Sequence, residues 1–313
     1  MSYSHQAVLL ETVLSYLEPQ AGQWFIDGTL GGAGYTIALA TAVGSSGRVL
    51  ALDLDDLALE NARQKFSALG LNNVSLIKGN FRNLINIAQS EFGPEQKWSG
   101  LVLDLGLSSA QIDDQNRGFS FQGNRPLDMS FGGEEFAAVK TTTIVNRYPL
   151  AKLAAIISEY GNEPQAWSLA KKIVRARKKT EIKTTAQLLE ITGLNRPFRG
   201  KTHPATKLFQ ALRMETNQEK KALEEVLAAS LKLLAPGGKL VVVSFHSGED
   251  RIVKEFIRRE SRTCICPPTA PVCICEHQKQ FNLLTKKPVI ADLAENSRNP
   301  RARSAKLRAA IKI

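Results

Sequence analysis

Residues 24–35 read WFIDGTLGGAGY, a short apolar strand that ends on Asp27 and passes at once into a glycine-dense turn and then a helix. That order predicts a βα unit whose loop holds a nucleotide-type cofactor. Glycine has no Cβ, so Gly28, Gly31, Gly32 and Gly34 allow sharp turns and a close approach of backbone to ligand. A second apolar run, 49–53 (VLALD), ends on Asp53 nineteen residues after Gly34. One βα unit needs about that distance to set an acid beside a ribose. The dinucleotide fingerprint is incomplete, however: GxGxxG taken from Gly32 reaches Gly34 and then finds Ile37 in the third place. Asp27 would also meet a pyrophosphate with negative charge. S-adenosylmethionine carries an ammonium, a sulfonium and a ribose diol but no phosphate, so acids at two strand ends favour it over NAD.

Further along, 74–78, 101–105 (LVLDL) and 239–245 (KLVVVSF) read as strands, and 55–69, 218–234 and 249–259 as helices. Strands without polar alternation imply a parallel sheet covered on both faces. Residues 6–17 have an amphipathic pattern, with Val8, Leu9, Val13, Leu14 and Leu17 on one side and Pro19 as the stop. Between 110 and 203 the rhythm breaks into a loop rich in Gly, Asp and Asn and then helical patterns at 150–160, 163–178 and 185–191. The chain is therefore expected to be α/β, with a core at 1–109 and 204–313 and a helical insertion at 110–203. Closing strands near 281–285 and 307–311 are expected to complete the sheet edge antiparallel.

A hydrophobic share of 43% with 23% charged residues fits a globular chain, and no apolar run approaches the roughly 20 residues of a membrane span. The first residues show no signal-peptide pattern, so a cytoplasmic location is expected, without membrane attachment. The net charge of +11 suits a polyanionic partner. Eleven Lys or Arg between Lys171 and Lys207 (171, 172, 175, 177, 178, 179, 183, 196, 199, 201 and 207) stand against Glu181 and Glu190 alone. Such a one-signed run favours nucleic-acid contact over a merely solvated face. A second basic strip, 298–308, is expected to extend the same surface. Cys264, Cys266, Cys273 and Cys275 form two Cys-x-Cys arms, with His277 just beyond. The spacing is tighter than that of zinc ribbons, and the adjacent Ile and Val suit a hairpin with buried thiols equally, so no metal is assigned.

In an open α/β sheet the ligand binds at the carboxyl ends of the strands, which brings Asp27, Asp53, Asn80, Phe81, Asp104 and Ser244 to His246 toward one crevice. Asp53 would accept ribose hydroxyls, and Phe81 would pack on an adenine. Asp104, leading DLGLSS, either stands nearest the transferred group or binds the donor's methionine portion. Ser108, Ser109 and His246 are candidate supporting groups, and no proton acceptor is assigned. GxSxG and GxxxxGK[ST] are both absent, which disfavours an α/β-hydrolase and a P-loop nucleotidase.

HQAVLLETV, DGTLGGAGY, LALDLDD, DLGLSSAQIDDQNRGFSF, PLDMSF, HPATKLFQALRMETN, LAPGGKLVVVSFHSGEDRIVK and NPRARSAKLR follow in order from residue 5 to 308. On these motifs the chain resembles the MraW family of ribosomal RNA small subunit methyltransferases. The resemblance implies a Rossmann-like methyltransferase core with an inserted helical substrate domain. It also implies S-adenosylmethionine-dependent methylation of the exocyclic N4 of one cytidine in the decoding region of 16S ribosomal RNA. It carries donor contacts onto Ala33, Gly34, Tyr35, Asp53, Phe81, Asp104 and Gln111, and makes 16S RNA or the small ribosomal subunit the partner. Monomer and homodimer both stay open. Two departures stand out: Ala33-Gly34-Tyr35 where many relatives carry Gly-Gly-His, and Gly248 where they carry Leu. A DNA cytosine methyltransferase, a non-catalytic RNA-binding assembly factor and an NAD-dependent oxidoreductase are the rival readings.

Overall fold

The computed structural model describes residues 7–108, 111–112, 114, 116–133, 136–195, 203–267, 269–270 and 272–313. They fall into two compact units, residues 1–106 with 220–313, and residues 107–219.

The first unit is built on seven strands: β1 (Trp24–Asp27), β2 (Arg48–Asp53), β3 (Val74–Lys78), β4 (Trp98–Asp104), β5 (Leu234–Ser244), β6 (Phe281–Leu283) and β7 (Lys306–Lys312). They lie in the order β3-β2-β1-β4-β5-β7-β6. The pairs among β1 to β5 are parallel, and β7 runs antiparallel to both β5 and β6. This is the Rossmann-like α/β architecture expected from the sequence. The unalternating runs divide between two cores, because successive side chains on a strand point to opposite faces. Ile26, Leu101, Leu103, Leu240 and Val242 bury into one core, with α4 (Leu84–Phe92), α10 (Glu219–Leu233) and α11 (Ser247–Glu260). Phe25, Val102, Val241 and Val243 bury into the other, with α1 (Leu10–Leu17) and α2 (Gly34–Val43). Strand order reverses at β1 and β4, the position at which open α/β sheets form their ligand crevice.

The second unit consists of the loop from Leu107 and helices α5 (Thr141–Arg147), α6 (Leu150–Gly161), α7 (Ala166–Arg177), α8 (Thr185–Thr192) and α9 (Ala205–Asn217). Helix α8 starts with a Thr184/Gln187 capping box and stops at Gly193 in the left-handed region, so both of its signals are written in the sequence. The expected insertion, 110–203, is shorter than this unit. Helix α9 belongs to the unit because Leu208, Phe209, Ala211 and Leu212 bury in the same core as Leu153, Ile157, Leu169 and Ile173.

Some elements differ from the sequence reading. Helices α4, α5, α9 and α12 (Leu293–Arg298) were unread, and β5 begins at Leu234, taking in the APGG turn through an irregular pairing between Trp98 and Gly100 of β4. The strip at 298–308 is only partly a free surface. Arg308 is buried in a two-pronged pair with Asp250 (2.6 and 3.3 Å), and Lys306 stands 3.6 Å from the same carboxylate. Arg298 and Arg303 remain exposed. Among the described residues no helix is long and apolar enough to cross a membrane.

Trp98 is wholly buried at the start of β4, edge-on to Trp24 and Phe92, with ring centroids 5.8 and 5.3 Å away. Trp98→Ala is expected to lower the free energy of unfolding by about 3–5 kcal/mol, the usual range for a buried aromatic truncated to Ala. Urea unfolding followed by circular dichroism checks this; a loss of under about 1 kcal/mol would show that the three-ring cluster is not a core element.

Candidate cofactor site and basic helix face

Asp27 closes β1 and is wholly buried. Its Oδ1 accepts the Thr29 N–H at 3.1 Å and its Oδ2 the Thr36 hydroxyl at 2.6 Å. Burial pushes its carboxyl up to about 6, against the opposing pull of these hydrogen bonds. Asp27 is thus spent on folding the glycine loop back onto the strand, and its charge reaches a ligand only as a field.

The loop is stitched between two strands. Gly28 N–H donates to the Val102 carbonyl (3.0 Å), Leu30 N–H to that of Leu52 (2.8 Å) and Gly31 N–H to Asp53 Oδ2 (2.9 Å). Lys65 Nζ holds the Gly32 carbonyl at 3.0 Å. A Cβ on Gly28 would stand 2.5 Å from Leu103 Cδ2, and one on Gly34 would stand 2.6 Å from the Ala7 Cβ. These two glycines are required by packing, a reason separate from ligand approach. Ala33 takes the left-handed conformation, with φ 67°, a position that favours glycine. It opens α2 without a side-chain cap, so the amide groups of Gly34 and Tyr35 in the first turn form a site suited to an anion.

Tyr35 is turned away from that role. Its ring is buried in the core with Val8 and Val102, and its hydroxyl donates to the Val8 carbonyl. Burial holds its hydroxyl well above the usual range, helped by Asp104, Asp27 and Glu295. Only its backbone is left to meet a ligand.

Asp53, at the end of β2, is half-buried, with Oδ1 accepting Asp55 N–H and Oδ2 accepting Gly31 N–H, both at 2.9 Å. Desolvation pushes it up to about 6 despite those bonds. Two accepted bonds leave a carboxylate with room for two hydroxyls. Asp104 ends β4; its N–H donates to Thr29 Oγ1 at 2.6 Å, while its Oδ1 is buried and accepts nothing from the described residues. Desolvation raises its carboxyl well above the ordinary range, and Asp27 and Glu249 add to the shift. A buried acceptor with no donor costs about 1–3 kcal/mol, and it marks a place where a donor is missing. Phe81 begins a tight turn after β3, set by Asn80 Oδ1 accepting Arg82 N–H, and packs on the Ile26 core. Asp27, Asp53, Phe81 and Asp104 therefore all sit at the carboxyl ends of parallel strands.

Gln111 belongs to the helical unit, where it is buried and exchanges hydrogen bonds with Ser108: Ser108 N–H to Oε1 at 3.0 Å, and Gln111 N–H to Ser108 Oγ at 3.2 Å. His246 and Ser244 are structural. His246 caps α11 in a box with Glu249, and Ser244 donates to the Lys306 carbonyl of β7. Ser109, with Arg196, Arg199 and Lys201 of the basic run, lies outside the described residues.

The remaining cations of that run have two fates. Arg177 holds the Val145 and Tyr148 carbonyls (2.9 and 2.7 Å), Lys172 that of Thr192 (2.8 Å), and Lys207 that of Asn162 (3.0 Å). Lys183 pairs with Glu181 at 3.2 Å. Lys171, Arg175, Lys178 and Lys179 stay exposed on and just beyond α7. The sequence reading missed Trp167, which is 51% exposed on the same helix with Lys171 Nζ 5.8 Å from its ring centroid. Trp167, Lys171, Arg175 and Lys178 recur at helical spacing, a stripe of aromatic and cationic groups of the kind that binds single-stranded nucleic acid. That spacing was readable in advance.

The chain matches the MraW methylase family over residues 2–313. It is similar to the ribosomal RNA small subunit methyltransferase H of Thermomicrobium roseum, 45% identical over all of this chain and 95% of the relative. The protein of the same name from Heliobacterium modesticaldum is 42% identical over the whole of both chains, and that of a Geobacter species 43% identical over 99% of each.

The raised carboxyls make stability depend on pH with a definite sign. Asp27 binds its proton more tightly folded than unfolded, so its stabilising contribution is complete below its ordinary pKa and is lost as pH rises to about 6. Over that window the one group should remove on the order of 3 kcal/mol, and Asp53 and Asp104 act in the same direction. Urea unfolding at a series of pH values should show a flatter dependence in Asp27→Asn than in the wild type; parallel curves would mean that Asp27 titrates normally.

Proposed function

Since the chain belongs to the MraW methylase family along its length, we propose that it moves a methyl group from S-adenosylmethionine to the exocyclic N4 of one cytidine in the decoding region of 16S ribosomal RNA. The observation that carries the reading is the set of acids at the ends of β1, β2 and β4, above all the buried Oδ1 of Asp104, which has no donor among the described residues. Acids at three strand ends suit a ligand bearing an ammonium, a sulfonium and a diol. When bound, the cofactor supplies an electrophilic methyl on a positively charged sulfur.

The chain's own groups have separable tasks in this proposal. Asp53 takes the ribose hydroxyls, the first turn of α2 at Gly34 and Tyr35 takes the carboxylate, and Phe81 lies against the adenine. Ala33 shapes that turn, and Gln111 is assigned to the donor by the family resemblance alone. Asp104 accepts a hydrogen bond from an amino group. The N4 lone pair is delocalised into the pyrimidine ring and is a poor nucleophile, so its acceleration rests on alignment and on removal of proton density. The helical unit serves as the RNA-binding part, with Lys171, Arg175, Lys178 and Lys179 on phosphates and Trp167 stacking on a base. An enzyme that works on a base takes it out of its stack first.

The deciding experiment is mass spectrometry of nucleosides from unmodified small subunits, naked 16S RNA and DNA, each incubated with the protein and isotopically labelled S-adenosylmethionine. Labelled N4-methylcytidine in ribosomal material and none in DNA is expected; label on another atom overturns the assignment, and donor binding without label favours an assembly factor. Asp53→Ala should weaken donor binding in calorimetry by about 10- to 100-fold, the range for losing charge-assisted hydrogen bonds, and unchanged affinity removes Asp53 from the site. Lys178→Glu with Lys179→Glu should leave donor affinity intact and cut RNA methylation at physiological salt by at least about tenfold; equal activity would make the run solvated surface.

A further inference from the structure

Between the end of α11 at Glu260 and the start of β6 at Phe281 the described chain forms no helix or strand, yet its four cysteines converge. The Sγ atoms of Cys264, Cys266, Cys273 and Cys275 all lie within 4.8 Å of one another. Cys273 to Cys275 is 3.6 Å, Cys264 to Cys275 is 3.8 Å, and Cys266 to Cys273 is 4.0 Å. A tetrahedral ion with four thiolates at about 2.3 Å requires sulfur-to-sulfur edges of about 3.8 Å. We propose that these four cysteines form a structural zinc site that fixes the connection between α11 and the sheet edge.

The surroundings support a metal over the other ways to hold four sulfurs together. A hairpin stabilised by burial would hide its aliphatic residues, but Val272 is 71% exposed, Ile274 84% and Ile265 41%. The thiols are exposed or half-buried as well, so the hydrophobic effect gives no reason for the loop to close. The two Cys-Ile-Cys arms are also related by a local twofold pattern. Ile265 N–H donates to Cys275 Sγ and Ile274 N–H to Cys266 Sγ, each at 3.4 Å, so the middle amide of each arm reaches the last sulfur of the other. Amide donors of this kind support charge on a ligating sulfur. His277 lies outside the set, its Nε2 donating to the Arg259 carbonyl at 3.1 Å. Four sulfur ligands close the coordination sphere, which makes the site structural with no position open for a reacting group. A multi-iron cluster binds its thiolates to separate irons and spreads them wider than 4.8 Å. On binding, each of the four thiols passes its proton to solvent, four Zn–S bonds form, and neither the metal nor the sulfur is oxidised or reduced.

The test uses the full-length protein as purified under reducing conditions. Metal analysis by inductively coupled plasma mass spectrometry should give about one zinc per chain, and cobalt exchanged into the site should show the sulfur-to-metal charge-transfer and intense visible bands of a tetrahedral tetrathiolate. Cys273→Ser with Cys275→Ser should lose both signals while circular dichroism and S-adenosylmethionine binding stay those of the wild type. Limited trypsin digestion should then cut after Arg262 and Lys279, at the two ends of the loop, at least about tenfold faster, as it should in wild type treated with a chelator. The wild-type measurements need no variant, so a misfolded double mutant does not protect the proposal. Protein that is isolated without zinc and does not take it up on titration overturns it. So does iron with acid-labile sulfide, zinc retained by the double variant, or digestion indifferent to chelation.

Discussion

A single buried carboxylate decides where the glycine loop goes. Asp27 ends β1, inside the sheet, with no water to solvate it, so both of its oxygens must find donors inside the protein. Thr29 and Thr36, two and nine residues further on, supply them. The chain between has to return on itself to do so, which delivers the start of α2 to the strand end and places Thr29 Oγ1 under the Asp104 amide. The loop amides then reach β2 through Leu52 and Asp53, and β4 through Val102. The path of the glycine loop is therefore determined by satisfaction of a buried acid before any ligand contributes.

The same arrangement crowds negative charge. Asp27, Asp53 and Asp104 are all held above their ordinary range by desolvation, and Asp104 also by its acidic neighbours. Protonation relieves that cost, and so does a cation. Under the proposed function, the positive sulfur and ammonium of the donor do for these acids what protons would otherwise do. The site then binds its cofactor best in the ionised form that is least comfortable without it.

Much of this was legible in the chain. The apolar runs ending in Asp27, Asp53 and Asp104 located three strands to within a few residues, because fully buried parallel strands leave no polar alternation to confuse with a helix. Other parts depended on partners distant in sequence. Tyr35 looks like a ligand-facing ring in GAGY, but the Val8 carbonyl and the core around it claim both its hydroxyl and its face. Arg177 and Lys172 read as members of a binding run, whereas Arg177 holds the carbonyls of Val145 in α5 and of Tyr148 just beyond it, and Lys172 that of Thr192 in α8. Helix α9 escaped notice because its buried stripe at Leu208, Phe209, Ala211 and Leu212 is interrupted by Lys207, Gln210 and Arg213, and only the core it joins explains the pattern. The resemblance, and no residue pattern, is the ground for the two most specific parts of the proposal, the acceptor atom and the role of Gln111.

The insertion of a whole helical unit between adjacent strands also sets the order of events during synthesis. Strand β4 ends at Asp104 and pairs with β5, which begins at Leu234 and is itself completed by β7 near the last residue. A ribosome adding about 5–20 residues per second leaves β4 without that neighbour for on the order of ten seconds. Throughout that interval an apolar central strand presents an open edge, the form of nascent chain most prone to misassociate. The helical unit has local contacts and can fold while the edge waits. The acids of β1, β2 and β4 can come together as soon as those three strands pair, whereas Asp104 gains its second neighbouring strand only once β5 has been made.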